Sequence, residues 1–226
     1  MDSAHAVMES WVALPTGARI ALAEQWAGLA AGGLPCGSAI MESGELVASG
    51  RNHAYDPAGP VESRLRYPLQ HNRLAHAELN ALACVPTEAD HALLTLWSTQ
   101  HPCAMCAAAI AFAGIGQVRF IADDPSDESP PAAILASRGN VSYRALGNPF
   151  WWTVSNLLFL YNSATQEVER ARNIARNRYR LPELVNLTLD LSRHGALDES
   201  ARSGMPLPAA LALHRPALEH VAGYAP

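Results

Sequence analysis

The stretch LAHAELNAL, residues 74–82, is rich in Leu and Ala and predicts a helix over residues 74–84. His76 and Glu78 lie two positions apart in it, and residues with that spacing do not share a face in the middle of a helix. At the start of a helix, both side chains can bend toward whatever lies above the N-terminus. The pair therefore indicates a site at the beginning of this helix.

A second stretch, STQHPCAMCAAAI at residues 98–110, predicts another helix. Cys103 and Cys106 are three positions apart, so they share a face in its first turn, where the helix dipole favours thiolates. Together with His76 they make three ligands. Three protein ligands and an open fourth position are typical of a catalytic zinc site.

A structural zinc site would normally take a fourth Cys or His from the protein. Cys36 and Cys84 remain, and both stand in stretches typical of small buried core residues. The interpretation is therefore one zinc ion per chain at a catalytic site. Glu78 would not bind the metal but would take a proton from water that the zinc activates, and pass it on.

Helical and strand-like patterns alternate from residue 16 to residue 146, which predicts a layered α/β fold. A long polar loop over residues 53–73 interrupts them. The predicted elements are a helix over 16–31, two strands around a turn at 42–44, strands within 92–99, 117–123 and 141–146, and helices at 103–115 and within 129–139. Beyond Gly147 the pattern predicts a helix over 148–179, a second helical or irregular segment at 181–195, and a loosely packed tail from Asp198.

The order HAE at residues 76–78, then PCAMC at residues 102–106, resembles the zinc-dependent cytidine and deoxycytidylate deaminase superfamily. With Met inside it, the second motif resembles the motif of the branch that includes guanine, cytosine and tRNA adenosine deaminases. The resemblance covers residues 16–146. It implies a three-layer α/β/α fold with a mixed five-stranded sheet. The pattern change beyond Gly147 then predicts two parts: a zinc-dependent deaminase domain, residues 1–147, and a mostly helical extension packed on it, residues 148–226.

The resemblance also implies substrate contacts. The stretch LPCGSAIMESGELVASGRN, residues 34–52, resembles the family's first hairpin, whose closing Asn contacts the substrate, and Asn52 takes that place. A simple turn residue is the alternative. His101 stands where the family usually has Glu, and it could contact the substrate or lie behind the residues that do.

Three aromatic residues, Phe150, Trp151 and Trp152, follow the last predicted strand. Two interpretations stay open: core anchors for the extension, or an aromatic lid over a flat heterocycle, with Trp151 and Trp152 as substrate contacts. The extension also carries an arginine-rich segment, which favours a solvated face over a phosphate site: Arg170, Arg172, Arg176, Arg178 and Arg180.

These observations predict a hydrolase that acts on C–N bonds of cyclic amidines and releases ammonia from a small amino-substituted nucleobase or nucleoside of the guanine, adenine or cytosine type. A non-catalytic, zinc-stabilised binding module is one alternative, and a tRNA adenosine deaminase is another. The formal net charge of −5 argues against a nucleic-acid partner, because proteins usually bind nucleic acids through a basic surface.

The sequence shows no signal peptide and no apolar run near the roughly 20 residues of a membrane span, which predicts a cytoplasmic protein with reduced thiols and no membrane partner. The family resemblance implies an oligomer. The segment AAAIAFAGIG, residues 107–116, is rich in small residues, which allow two helices to approach closely. The resemblance and this segment together predict a homodimer.

Overall fold

The computed structural model describes residues 3–56, 69–126, 136–165 and 171–225. The sheet and the helices packed directly on it consist, in chain order, of α1 (Ser3–Val12), α2 (Thr16–Ala30), β1 (Gly37–Glu42), β2 (Glu45–Arg51), α3 (Ala77–Leu82), β3 (Thr95–Gln100), α4 (Ala104–Ala113), β4 (Gln117–Ala122) and β5 (Ser142–Ala145).

The five strands form one sheet in the order β2-β1-β3-β4-β5. β1 is antiparallel to both β2 and β3, whereas β3, β4 and β5 are parallel. The predicted mixed five-stranded sheet is therefore confirmed. The tight turn is also confirmed, because Ser43 and Gly44 both have positive φ, as two-residue hairpin turns require.

Strand residues alternate between two hydrophobic cores, one on each face of the sheet. One core packs against α3 and α4, and the other packs against α1, α2 and the C-terminal helices. The fold is thus three-layered, as predicted. The first core includes Ile40, Leu96 and Val118, and the second includes Ala39, Trp97 and Ile121.

The C-terminal helices are α5 (Pro149–Thr165), α6 (Ala171–Arg180), α7 (Pro182–Arg193), α8 (Ala196–Arg202), α9 (Leu207–Ala212) and α10 (Arg215–Ala222). Helix α5 is the central one, and its residues 157–161 are at most 3% exposed. It packs against α2, α7 and α10 and against β3 and β4.

Several details differ from the sequence prediction. The expectation of a loosely packed tail is wrong, because α8, α9 and α10 bury Leu197, Leu207, Leu211 and Leu218 in the second core. These leucines recur at helical spacing, but prolines and alanines between them obscured the pattern. Helix α1 was not predicted. The predicted helix within 129–139 falls largely outside the described residues, as does most of the loop at 53–73.

Helix α3 is shorter than predicted, which places His76 immediately before its first turn. Among the described residues, no helix has the length and apolarity needed to cross a membrane.

Candidate active site

Two helices begin at the same edge of the sheet, and the residues at their starts meet. His76 is the N-cap of α3 and Cys103 is the N-cap of α4, both in extended backbone conformation. Neither side chain caps its own helix by a hydrogen bond. Both side chains are instead directed toward each other.

The distances within this cluster fit a zinc ion. His76 Nδ1 lies 3.8 Å from Cys103 Sγ and 3.5 Å from Cys106 Sγ, and the three ligand atoms all lie within 4.8 Å of one another. Tetrahedral zinc, with Zn–S of about 2.3 Å and Zn–N of about 2.0–2.1 Å, separates nitrogen and sulfur ligands by about 3.5 Å. The predicted cofactor, one Zn²⁺ per chain, is confirmed by this donor set.

The charge state of Cys103 suits the same role. A hydrogen bond with the Cys106 thiol, together with one from His76, lowers the pKa of Cys103 to about 4 against the opposing effect of burial. Cys103 is therefore a thiolate at neutral pH, which is the form of cysteine that binds zinc.

Glu78 lies beside the cluster but outside it. Its side chain is buried, and Ser98 Oγ donates a hydrogen bond of 3.0 Å to its Oε1 atom. The other oxygen, Oε2, lies 3.5 Å from Cys106 Sγ. Burial raises the pKa of the Glu78 carboxyl. The arrangement gives a carboxyl group held in one orientation, with one oxygen toward the metal ligands.

A fourth protein ligand does not join the three within the described part of the chain. Cys36 lines the adjoining cavity, and burial raises the pKa of its thiol well above the ordinary value. Cys84 is exposed, so the expectation that it is a core residue is wrong. Its position one residue beyond the C-cap of α3 leaves it outside the first core.

A cavity of about 160 Å³ adjoins the metal cluster. Asn52, at the end of β2, is one of its lining residues and is 2% exposed. Its Oδ1 accepts a hydrogen bond of 2.9 Å from the Ala54 backbone N–H. Asn52 is thus a turn residue and a cavity residue at once, so both interpretations of the sequence describe part of its environment.

His101 also lines the cavity. Its ring packs edge-on against Phe120, with centroids 4.8 Å apart, and lies beside Tyr143. Its Nε2 atom contacts the Arg138 guanidinium. The residue therefore connects the cavity wall to β4 and β5.

Trp151 and Trp152 are not brought to this cavity. Trp151 is fully buried, packs against Trp11, and donates a hydrogen bond of 3.0 Å from Nε1 to Ser10 Oγ. Trp152 borders separate surface cavities. Of the two interpretations left open, these contacts fit the core anchors and not the aromatic lid, because α5 turns these rings toward α1 and the C-terminal helices.

Other cavity residues were missed by the sequence analysis. Tyr55, Asp124, Ser126, Phe159 and Asn173 all line the cavity. Asp124 follows β4, and Cys103 follows β3. Because the carboxyl ends of parallel strands lie at the same edge of a sheet, the position of Asp124 near the metal cluster could have been predicted from the sequence. Phe159 and Asn173 come from the extension, and no local signal indicates their place.

Tyr55 stands next to a partly buried ion pair that fixes the start of the loop. Arg51 Nη1 and Nη2 donate to the two Asp56 carboxylate oxygens at 2.8 and 2.9 Å, and His53 Nδ1 lies 2.8 Å from Asp56 Oδ2. Burial opposes ionisation of Asp56, but hydrogen bonds from His53 and Arg51 outweigh it and lower the pKa of Asp56. The backbone that carries Tyr55 is therefore held at the cavity.

Replacing Cys106 with Ala is expected to reduce bound zinc below one ion per chain, because it removes a buried thiol from the three-ligand cluster. Metal analysis of dialysed protein measures this. Cys84→Ala is the matched control, since it removes an exposed cysteine remote from the cluster and should keep the full zinc content. Equal zinc content in both variants would contradict the assigned ligands.

Residues 16–122 match the family described as the cytidine and deoxycytidylate deaminase zinc-binding region. No curated protein sequence matches the chain.

Three solved structures illustrate what the fold is similar to. A tRNA deaminase of A-to-I editing at the wobble position has 24% identity over 56% of this chain and 93% of that chain, with a TM-score of 0.44. A guanine deaminase from Nitrosomonas europaea has 23% identity over 63% and 80% of the two chains, with a TM-score of 0.47. RibD from Acinetobacter baumannii has 19% identity over 69% and 40%, with a TM-score of 0.39.

Proposed function

Because residues 16–122 match the cytidine and deoxycytidylate deaminase zinc-binding region, we propose that the protein is a hydrolytic deaminase of a small amino-substituted nucleobase or nucleoside. The substrate is of the guanine, adenine or cytosine type, and the products are the oxo-heterocycle and ammonia. The observation that carries the proposal is the buried Glu78 carboxyl group, with Oε2 3.5 Å from a metal ligand. A purely structural zinc site has no use for such a group.

The chemistry divides between the metal and this chain's residues. A zinc ion held by His76, Cys103 and Cys106 would supply hydroxide at neutral pH by lowering the pKa of water to about 7. Glu78 accepts one proton of the attacking water and donates it to the ring nitrogen beside the amino-bearing carbon. It then takes the proton of the hydroxyl group now on that carbon and transfers it to the amino group, so that the C–N bond breaks, ammonia leaves and the carbonyl of the product forms. Ser98 holds Oε1 in place, so Oε2 is the atom that carries the proton.

A small substrate is favoured by the cavity. Its volume is about 160 Å³, and Leu34 and Phe159 contribute apolar surface between the polar lining residues. Ligand sites that enclose small molecules combine apolar walls with a few polar groups, and exclusion of water strengthens the electrostatic interactions within them. We therefore favour a free base or nucleoside over a polymer.

A substrate panel tests the proposed function. The zinc-loaded protein is incubated with adenine, guanine and cytosine, with their nucleosides and with their 5′-nucleotides, and ammonia is measured. Release of ammonia from a base or nucleoside is the expected result. No release from any compound would favour the alternative, a non-catalytic zinc-stabilised binding module.

A tRNA adenosine deaminase is the other alternative, and the same assay extends to it. The formal net charge of −5 disfavours it, because phosphate contacts supply most of the nonspecific affinity for nucleic acids. Deamination of a tRNA anticodon stem-loop, with an affinity that falls steeply with salt, would reverse this preference.

We also propose that the protein forms a homodimer through α4 and resides in the cytoplasm, where its four cysteines, which form no disulfide, remain reduced. Every residue of α4 is apolar, and Phe112 is 95% exposed on it. A helix face of this kind is typical of a surface that a partner covers.

Phe112→Glu is expected to convert the homodimer to a monomer, because it places a charge on the exposed apolar surface near the end of α4. Light scattering at micromolar protein concentration measures the mass. Tyr179→Glu is the matched control, since Tyr179 is a 91% exposed aromatic on α6 and should leave the mass unchanged. A monomeric parent protein would refute the homodimer.

A further inference from the structure

Part of the cavity wall comes from the C-terminal extension, outside the matched region 16–122. Phe159 of α5 contributes an apolar surface, and Asn173 of α6 contributes a polar side chain. Asn173 is partly buried, in the first turn of its helix. It is therefore a polar group placed at the proposed substrate site by tertiary structure alone.

Helix α6 is attached to the segment that follows β4. Asn177 Nδ2 donates a hydrogen bond of 2.9 Å to the Pro125 carbonyl oxygen, and Arg176 Nη2 donates one of 3.0 Å to the Ser126 carbonyl oxygen. Asn177 is fully buried. These bonds hold α6 against the cavity wall, so the position of Asn173 does not depend on its own contacts.

The orientation of the Asn173 amide is also fixed. Arg176 Nη2 donates a hydrogen bond of 2.7 Å to Asn173 Oδ1. Because the oxygen accepts from the guanidinium group, Asn173 offers its Nδ2 atom, a donor, as the group for a ligand.

An acceptor stands on the same wall. Asp124 lines the cavity, and its Oδ1 accepts hydrogen bonds of 2.8 Å from both the backbone N–H and the hydroxyl of Ser126. These two bonds hold the carboxylate in place. A donor and an acceptor held on one wall form a pattern that can distinguish one heterocycle edge from another.

We propose that Asn173 is a specificity-determining residue, whose Nδ2 donates a hydrogen bond to a carbonyl oxygen or ring nitrogen of the substrate, on an edge other than the one that bears the reacting amino group. This inference rests on the proposed function, since it assigns a recognition group for the same substrate. It gives the extension a part in substrate selection in addition to its part in the hydrophobic core.

Asn173→Asp is the decisive variant. It preserves the size of the side chain and an oxygen that can accept from Arg176, but it removes the N–H donors. A merely structural role would survive this change, whereas a donor to the substrate would be lost. Asn173→Ala removes both functions. Asn186→Asp is the matched control, because Asn186 is an exposed asparagine on α7 that does not line the cavity.

The variants are compared by Tm, by kcat and KM on the active panel compound, and by calorimetric Kd for the same nine panel compounds. Asn173→Asp is expected to raise KM and Kd by about tenfold, with kcat and Tm close to those of the parent protein, since one hydrogen bond to the ligand is lost. Asn186→Asp should match the parent in every measurement.

The outcomes separate the inference from the proposed function. Parent-like KM and Kd in Asn173→Asp would overturn the inference while leaving the deaminase activity intact. A parent protein that binds a panel compound through Asn173 but releases no ammonia would overturn the proposed function and support the inference. Absence of both binding and ammonia release would overturn both.

Discussion

Replacing Glu78 with Gln is expected to lower kcat for ammonia release by about 10²–10⁴-fold, the usual contribution of a general acid–base residue. Gln has nearly the size of Glu and can accept the hydrogen bond from Ser98, but it cannot accept and deliver a proton. Since the metal ligands are His76, Cys103 and Cys106, the zinc content should stay at one ion per chain. Steady-state assays on the active panel compound and metal analysis measure the two quantities.

The control for this variant is Glu88→Gln, which makes the same chemical change at an exposed glutamate that is not a cavity residue. It should keep parent values of kcat and KM. Wild-type turnover in Glu78→Gln would exclude Glu78 as the proton carrier. A loss of activity accompanied by loss of zinc would indicate instead that Glu78 supports the metal site.

The metal site could be predicted from sequence because its geometry is local. Cys103 and Cys106 are brought together by one turn of a helix, and His76 and Glu78 by the start of another. Only the meeting of the two helices is a tertiary event, and alternation of strands and helices places both helix starts at one sheet edge. The sequence therefore contained nearly all the information that fixes these four side chains.

The substrate side of the cavity depends on a different kind of information. Asn173 reaches the cavity because α6 is bonded to residues 125 and 126, about fifty positions away in sequence. Neither periodicity nor residue type indicates such a contact. The same limitation explains the aromatic pair: Trp151 and Trp152 stand near the last strand in sequence, but the direction of α5 places them away from the cavity.

The extension and the sheet share one hydrophobic core, which crosses the predicted boundary at residue 147. Trp151, Leu157 and Leu158 of α5 are fully buried in the same cluster as Leu22 of α2 and Ile121 of β4. Loss of a single buried Trp or Leu side chain typically costs about 2–5 kcal/mol. A whole domain is stable by only about 5–15 kcal/mol.

Buried hydrogen bonds cross the same boundary. Gln100 Nε2 donates to the Ser155 carbonyl oxygen at 3.1 Å and to its hydroxyl at 2.8 Å. Gln25 Nε2 donates to the same Ser155 carbonyl at 3.0 Å. Both glutamines are at most 4% exposed. Without α5, Gln100 Nε2 would lose both of these partners, Gln25 Nε2 would keep only the Pro35 carbonyl oxygen, and the apolar face of α2 would be open to water.

Deletion of residues 148–226 is therefore expected to abolish the cooperative unfolding transition and to leave no measurable kcat/KM. Circular dichroism melts, size-exclusion chromatography and the ammonia assay measure these effects. A chain that ends at Gly223 is the matched control, since it removes only the terminal three residues, of which Tyr224 is 64% exposed, and it should retain the parent Tm. Ser155→Ala provides a graded test: it keeps the Ser155 carbonyl but removes the hydroxyl that accepts from Gln100 Nε2 and donates to the Thr99 carbonyl oxygen, and loss of these two buried hydrogen bonds should cost about 1–3 kcal/mol of unfolding free energy. A core that is shared with α5 cannot be removed without loss of stability. A deleted chain that keeps the parent Tm and kcat/KM would therefore contradict the shared core and show that residues 1–147 fold and act alone.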